Sequence, residues 1–298
     1  MNAAFVIKRI LVATDYSNAA RRAVWRAGDL ARKHGAQLHL IHAQPDWNLF
    51  SMNAAATAEQ FKAVTAHADE ALRTELAWLE TTFGINARGE NRIGRASHVL
   101  RSVIAEFEPH LMVAGAHGEH DSPPMAPLLG GTAAKLIAFS AVPTLIVRGH
   151  EQSYRVALAA IERPGDASLQ LLEWAHLLIP SGECHLVHAF SAPYAARMRA
   201  HGVPEASVRA CEADIRKSGS AIVEELLSMS GYDELRLHAH LINGEPVGAV
   251  LTEIASSKPD LVILGKHRHP PRDVHLASFG SVAFRIAYHA PCDVLVVS

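Results

Sequence analysis

The pentapeptide HLIHA at 39–43 returns as HLVHA at 185–189, and the same shift of 146 residues lays KRILVAT over YRVALAA. At that shift Ile161 stands at the place of Asp15. Beyond Gly94 the shift becomes 150 and holds without a gap: Gly115 meets Gly265, Pro109 meets Pro259, Gly130 meets Gly280 and Val147 meets Val297. Glycines, prolines and apolar positions kept in step over such a span identify a tandem duplication of one domain. The expected domains are 1–148 and 154–298, joined by GHEQS at 149–153. With 49% hydrophobic residues, each half has the means to form its own core, since a domain of about 150 residues buries roughly 70% of its unfolded surface.

Within the first copy, short apolar runs alternate with helical periodicity. Strands are expected at 7–13, 37–43, 86–92, 111–115 and 144–148, and helices at 18–33, 54–82, 96–107 and 131–139. The helix after Gly94 gathers Val99, Leu100, Val103, Ile104 and Phe107 on one face, and Pro109 ends it. Strands that read as continuous apolar runs and are separated by crossover helices belong in a parallel sheet covered on both faces. The fold class is therefore α/β: two tandem doubly wound sheets, Rossmann-like, with five strands in each. Ligands of such sheets sit at the carboxyl ends of the strands where the winding reverses.

Two loops of the first copy lie at that place. ATDYSNAA follows the first strand and puts Thr14 and Asp15 at its end, with Ser17 or Asn18 at the helix N-cap. Asp15 has two roles open to it, acceptor for a ribose hydroxyl or helix cap. GAHGEHDSPPMAPLLGGTAAKL follows the fourth strand; Gly115 and Gly118 suit unusual backbone angles, and Gly130 and Gly131 permit close approach to a phosphate at a helix N-terminus.

ILVATDYS, HLIHA, GAHG, the LLG before the last helix and PTLIV together resemble the universal stress protein family, and LILGKH, FGS and DVLVV resemble it again in the second copy. The resemblance implies two family domains packed as an intrachain pseudo-dimer. It also implies ATP, with Mg2+, at the switch point of the first copy: Asp15 on the ribose, the backbone of Ala43 on the adenine, Gly115, Gly118 and Gly130 on the phosphates, with Thr14, His117, Gly131 and Thr132 beside them. The family motif is G-x-x-G, nine residues, then G followed by Ser or Thr. Here eleven residues separate Gly118 from Gly130, Gly131 holds the hydroxyl position, and Thr132 comes one place late. In the second copy Gly280 and Ser281 are present, but Arg268 replaces the second glycine, so a degenerate nucleotide motif is expected there. The function implied is that of a stress-response regulator controlled by a bound adenine nucleotide. The alternative is a scaffold or sensor that has lost nucleotide binding and holds a metal or other small ligand.

Nineteen histidines make metal binding a second line of enquiry. His117 and His120 in the first loop and His267 and His269 in the second are candidate zinc ligands, with Asp121, Asp273 and His275 near them. His39, His42, His185 and His188 fall on the repeated second strand and are expected to be packed and hydrogen-bonded, while His238 and His240 alternate on one strand face. Cys184, Cys211 and Cys292 lack C-x-x-C spacing and are expected as free thiols in a reducing cytoplasm. A net charge of -2, from 28 basic and 30 acidic residues, argues against nucleic acid or an anionic membrane as partner. Small ligands, a protein partner and self-association of tandem chains are the interactions left. No nucleophile elbow, metalloprotease helix or P-loop with Gly-Lys-Ser/Thr occurs, so no catalytic residue is assigned and at most slow ATP hydrolysis is expected.

Overall fold

The computed structural model describes residues 6–45, 54–117, 129–191, 194–230, 235–266 and 282–298. The chain divides into two units, Met1–Glu151 and Gln152–Ser298.

In the first unit, β1 (Arg9–Ala13), α1 (Asn18–His34), β2 (Gln37–Gln44), α2 (Ala54–Phe83), β3 (Arg88–Ile93), α3 (Ala96–Phe107), β4 (Leu111–Gly115), α4 (Gly131–Phe139) and β5 (Thr144–Val147) follow in order. The strands lie as β3-β2-β1-β4-β5, every neighbouring pair parallel. Ile10, Leu11, Val12, Leu40, Leu111, Met112, Val113, Leu145 and Ile146 are sealed from solvent. Continuous apolar runs are what a sheet covered on both faces demands. Only β3, whose RGENRI stays partly exposed, reads as a polar edge.

The helices show why they start and stop where they do. Ser17 caps α1, its Oγ accepting the amide N–H of Ala20 at 3.1 Å, and Gly35 closes the helix at φ 62. Along α1, Ala20, Ala23, Val24, Ala27, Leu30 and Ala31 are buried. A Cβ at Gly28 would stand 2.7 Å from the Phe83 ring, so glycine is what lets α1 and α2 approach. Val99, Leu100 and Val103 form the buried stripe of α3, which ends at Phe107 with Glu108 at φ 46, immediately before Pro109.

The second unit contains β6 (Val156–Ile161), α5 (Asp166–Leu178), β7 (Glu183–Phe190), α6 (Ala195–Ala200), α7 (Glu205–Ser230), β8 (Arg236–Asn243), α8 (Pro246–Ser257), β9 (Leu261–Gly265), α9 (Val282–His289) and β10 (Asp293–Val297). Its strands lie as β10-β9-β6-β7-β8, again all parallel. The five-strand winding is thus written twice. Among the described residues one departure is that two helices, α6 and α7, stand between β7 and β8; Pro204, which lacks an amide donor, immediately precedes the second.

Strand register corrects one expectation. In the first unit Leu11 pairs with His39 and Ile10 with Leu111, whereas in the second Leu158 pairs with His185 and Ala157 with Leu261. The first strands therefore correspond at a shift of 147 rather than 146, Ile161 takes the place of Thr14, and the residue at the place of Asp15 is Glu162. An Ala/Val/Leu strand matches itself almost equally well one residue either way. Hydrogen-bonded pairing does not share that ambiguity, because a one-residue slip turns every side chain to the other face.

Candidate functional site

β1 and β4 are neighbours in the first sheet, yet the chain leaves them in opposite directions, β1 toward β2 and β4 toward β5. A cleft of about 440 Å3 opens at their carboxyl ends. Thr14, Asp15, Ala43, Gly115, His117, Gly130, Gly131 and Thr132 all line it, and Ile41, Pro45 and Leu100 give it an apolar wall. Of the residues expected at a nucleotide site, Gly118 alone lies outside the described residues.

Local hydrogen bonds set the first rim. Thr14 Oγ1 accepts the amide N–H of Tyr16 at 3.0 Å, and Asp15 Oδ1 accepts that of Ser17 at 3.1 Å. Asp15 thus orders the turn ahead of α1, while capping itself falls to Ser17. Between them Tyr16 adopts φ 64, a left-handed conformation that costs a bulky residue of order 1–3 kcal/mol. Tertiary contacts hold it there: its hydroxyl donates to Asn91 Oδ1 at 2.7 Å, and its ring lies 4.7 Å from that of His42. His42 Nδ1 donates to the Thr14 carbonyl at 2.9 Å, which ties the end of β2 to the end of β1.

Behind that rim stands Glu75 of α2, only 5% exposed. Burial raises its carboxyl from the ordinary 4.5 to about 6, against the pull of Arg21 and a hydrogen bond from Thr14. Burial, with the negative charges of Glu75 and Asp69, also drives the Tyr16 phenol up. Tyr16, Glu75 and Asn91 had no part in the sequence reading. They come from three separate elements, and no local spacing announces them.

The opposite rim is made of backbone. Ala116 N–H donates to the Val147 carbonyl at 3.0 Å, and Gly130 N–H donates to the Ala116 carbonyl at 2.7 Å, so α4 begins beside the end of β4. Gly130 is the N-cap of α4 and offers no side-chain cap. The amides that open the helix are consequently left without intrahelical partners and carry its positive dipole end. A Cβ on Gly115 would lie 3.2 Å from the Ala19 carbonyl oxygen, whereas one on Gly131 would meet nothing within 4 Å. A half-buried carboxylate on one side, bare amides on the other and an apolar wall between them form a receptacle for a ligand with hydroxyl, anionic and flat apolar parts.

The profile of the Universal stress protein family matches residues 7–148 and again 153–298. The chain belongs to the universal stress protein family. Among solved structures, a universal stress protein from Archaeoglobus fulgidus DSM 4304 covers 97% of this chain with 96% of its own, at 18% identity and a TM-score of 0.68. A protein of unknown function from Pseudomonas aeruginosa PAO1 covers 98% with 92% of its own, at 17% identity and 0.57. A universal stress protein in complex with cAMP covers 50% of this chain with 100% of its own, at 23% identity and 0.38. No curated protein matches the sequence.

In the second unit of this universal stress protein, the acid matching Asp15 is the exposed Glu162, 3.4 Å from Arg163. His188, the counterpart of His42, is buried and its Nδ1 donates to the Ile161 carbonyl at 3.2 Å. His42 and His188 are therefore packed and hydrogen-bonded, as expected of the repeated strand. The rest of the second site, with Arg268, Gly280 and Ser281, lies outside the described residues. So do His120, His267 and His269 of the zinc candidates; His117 lines the first cleft. All three cysteines are free. Burial pushes the Cys184 thiol up to about 12, far from a reactive thiolate. Among the described residues no helix is long and apolar enough to cross a membrane.

Proposed function

We propose that this universal stress protein is a ligand-binding regulator of the stress response whose first unit binds an adenine nucleotide, ATP with Mg2+, in the cleft between β1 and α4. The observation carrying this reading is the meeting of Asp15, the backbone of Ala43 and the amides opening α4 around one cleft. Each offers what one part of a nucleotide needs. Asp15 accepts from a ribose hydroxyl, the wall of Ile41, Pro45 and Leu100 covers the adenine, and uncapped helix amides with their dipole attract phosphate. Thr132, exposed on the first turn of α4, takes over part of the hydroxyl role that Gly131 lacks. In this reading the nucleotide acts as a regulatory signal.

Calorimetric titration of ATP with Mg2+ into the metal-free chain tests this. Saturation near one site per chain, weakened by about one to two decades in Asp15→Ala, is the expected result. No heat and no thermal stabilisation at millimolar ATP would sink the reading and leave the fold serving a different ligand.

A further inference from the structure

A different part of the second unit carries a set of side chains whose chemistry the nucleotide reading leaves unused. On β7, His185 Nδ1 lies 2.8 Å from His240 Nε2 on the neighbouring β8. Glu253 of α8 brings Oε1 to 3.8 Å from His185 Nδ1 and Oε2 to 3.6 Å from His240 Nδ1. One ligand atom from each of the three falls within 4.8 Å of the others. Glu253 is only 9% exposed, and both separations are too long for hydrogen bonds.

The first unit shows what this place looks like with an ordinary polar pair. There His39 meets Glu90 at 3.1 Å, and Arg92 closes the network by binding Glu90 at 2.9 Å and Glu106 at 2.6 Å. At the shift of 150, Glu90 becomes His240, Arg92 becomes Ile242 and the fully buried Val103 becomes Glu253. The guanidinium has gone, and an acid has moved from an edge strand to an interior helix position. Burying a carboxylate costs several kcal/mol unless a cation answers it. Among the described residues its nearest basic groups are two imidazoles held beyond hydrogen-bond length.

We propose that His185, His240 and Glu253 form a transition-metal site, with Zn2+ as its ion. Two imidazoles and a carboxylate are a regular zinc donor set. Ligands about 2.0–2.1 Å from a tetrahedral ion stand roughly 3.3 Å apart, so an ion held by His185 Nδ1, His240 Nε2 and Glu253 Oε1 separates the two nitrogens from 2.8 Å by about half an ångström and draws Oε1 in from 3.8 Å of His185 Nδ1 by a similar amount. Two adjacent strands and a helix packed on them supply the rigid backing a metal site requires. Three protein ligands leave a fourth position for water or for His238, two residues before His240 on the same strand face, with its ring 5.2 Å from that of His185.

The test uses the full chain without a histidine tag, stripped with chelator, titrated with Zn2+ by calorimetry and with Co2+ by visible absorption. Expected is one ion per chain at micromolar metal and an intense tetrahedral Co2+ band. His185→Ala and His240→Ala should each weaken binding by more than the roughly 10- to 100-fold that loss of an outer-shell partner costs. His240→Gln, at a part-exposed position, keeps the side-chain volume and is checked by circular dichroism, so loss of folding cannot imitate loss of a ligand. His39→Ala, the same position in the first unit, should change nothing. Absence of saturable binding at micromolar Zn2+ overturns the site, as does binding that survives His240→Gln or that disappears instead in His267→Ala with His269→Ala.

Discussion

The first unit sets the His39 side chain against Glu90, and at the same place the second sets His185 against His240, in each case two residues along the edge strand from the histidine's register partner. Everything around that exchange follows from charge. In the first unit the acid on the strand is answered by Arg92, which also pulls Glu106 down to about 2 with the help of Ser102, and the helix position facing the strand is the sealed Val103. In the second unit the strand acid is missing and the helix position has become Glu253. Burial first, then the neighbouring His240 and His238, holds the His185 ring below the usual imidazole range. A duplicated backbone therefore keeps its packing while its polar groups are reassigned, because packing is shared by the whole sheet and polar partners must be exchanged as sets. The cleft ends of the two units teach the same lesson: Asp15 orders its turn beside bare helix amides, while Glu162 stands exposed beside Arg163.

Four substitutions break or sharpen that comparison. Asp15→Ala removes the carboxylate proposed to accept from the ligand's ribose hydroxyl and should weaken ATP by about one to two decades, from the roughly 1.5–3 kcal/mol of a charged hydrogen bond; calorimetry reads the loss. Glu75→Gln should stabilise the first unit by about 2 kcal/mol above pH 6, judged from the size of the shift, as seen in denaturant unfolding. Its sign follows from linkage. The unfolded carboxyl ionises near 4.5 and the folded one near 6, so wild-type stability falls as pH rises between those values, levels off above them, and the variant lacks that fall.

Gly131→Ser meets no steric obstacle and returns a hydroxyl to the motif position, so ATP should bind about tenfold more tightly, equivalent to about 1.4 kcal/mol. Unchanged affinity would mean that Thr132 already fills the role. Glu162→Ala is expected to leave ATP affinity and stoichiometry as they are. A second binding event that vanishes in this variant would show that the two units differ less than their loops suggest.

Much of the frame was legible in sequence. The expected helices at 54–82, 96–107 and 131–139 appear as Ala54–Phe83, Ala96–Phe107 and Gly131–Phe139, because long apolar periodicities bounded by glycine or proline leave little freedom at their ends. Strand ends moved by up to two residues: 7–13 became Arg9–Ala13 and 86–92 became Arg88–Ile93. A strand ends where its partner's ladder ends, and the partner lies far away in sequence.

The first cleft was legible for a related reason, since winding order alone brings the ends of β1 and β4 together. Its supports were not. Tyr16 is held left-handed by Asn91, 75 residues away, and Glu75 reaches Thr14 from the long helix. The His185, His240 and Glu253 cluster escaped attention for the same reason, although the alternation of His238 and His240 already marked one strand face.

By itself the sequence determined the duplication, the α/β class and the loops that meet at the first switch point, because these follow from repeated apolar periods and the places where they are interrupted. Tertiary structure decided the pairing that aligns Asp15 with Glu162 rather than Ile161, the burial that raises Glu75, and the meeting of two strands and a helix at His185, His240 and Glu253. Periodicity is a local property that survives in any window of the chain. Register, burial and polar partnership depend on which distant segment comes to lie alongside, and only the packed sheet supplies that information.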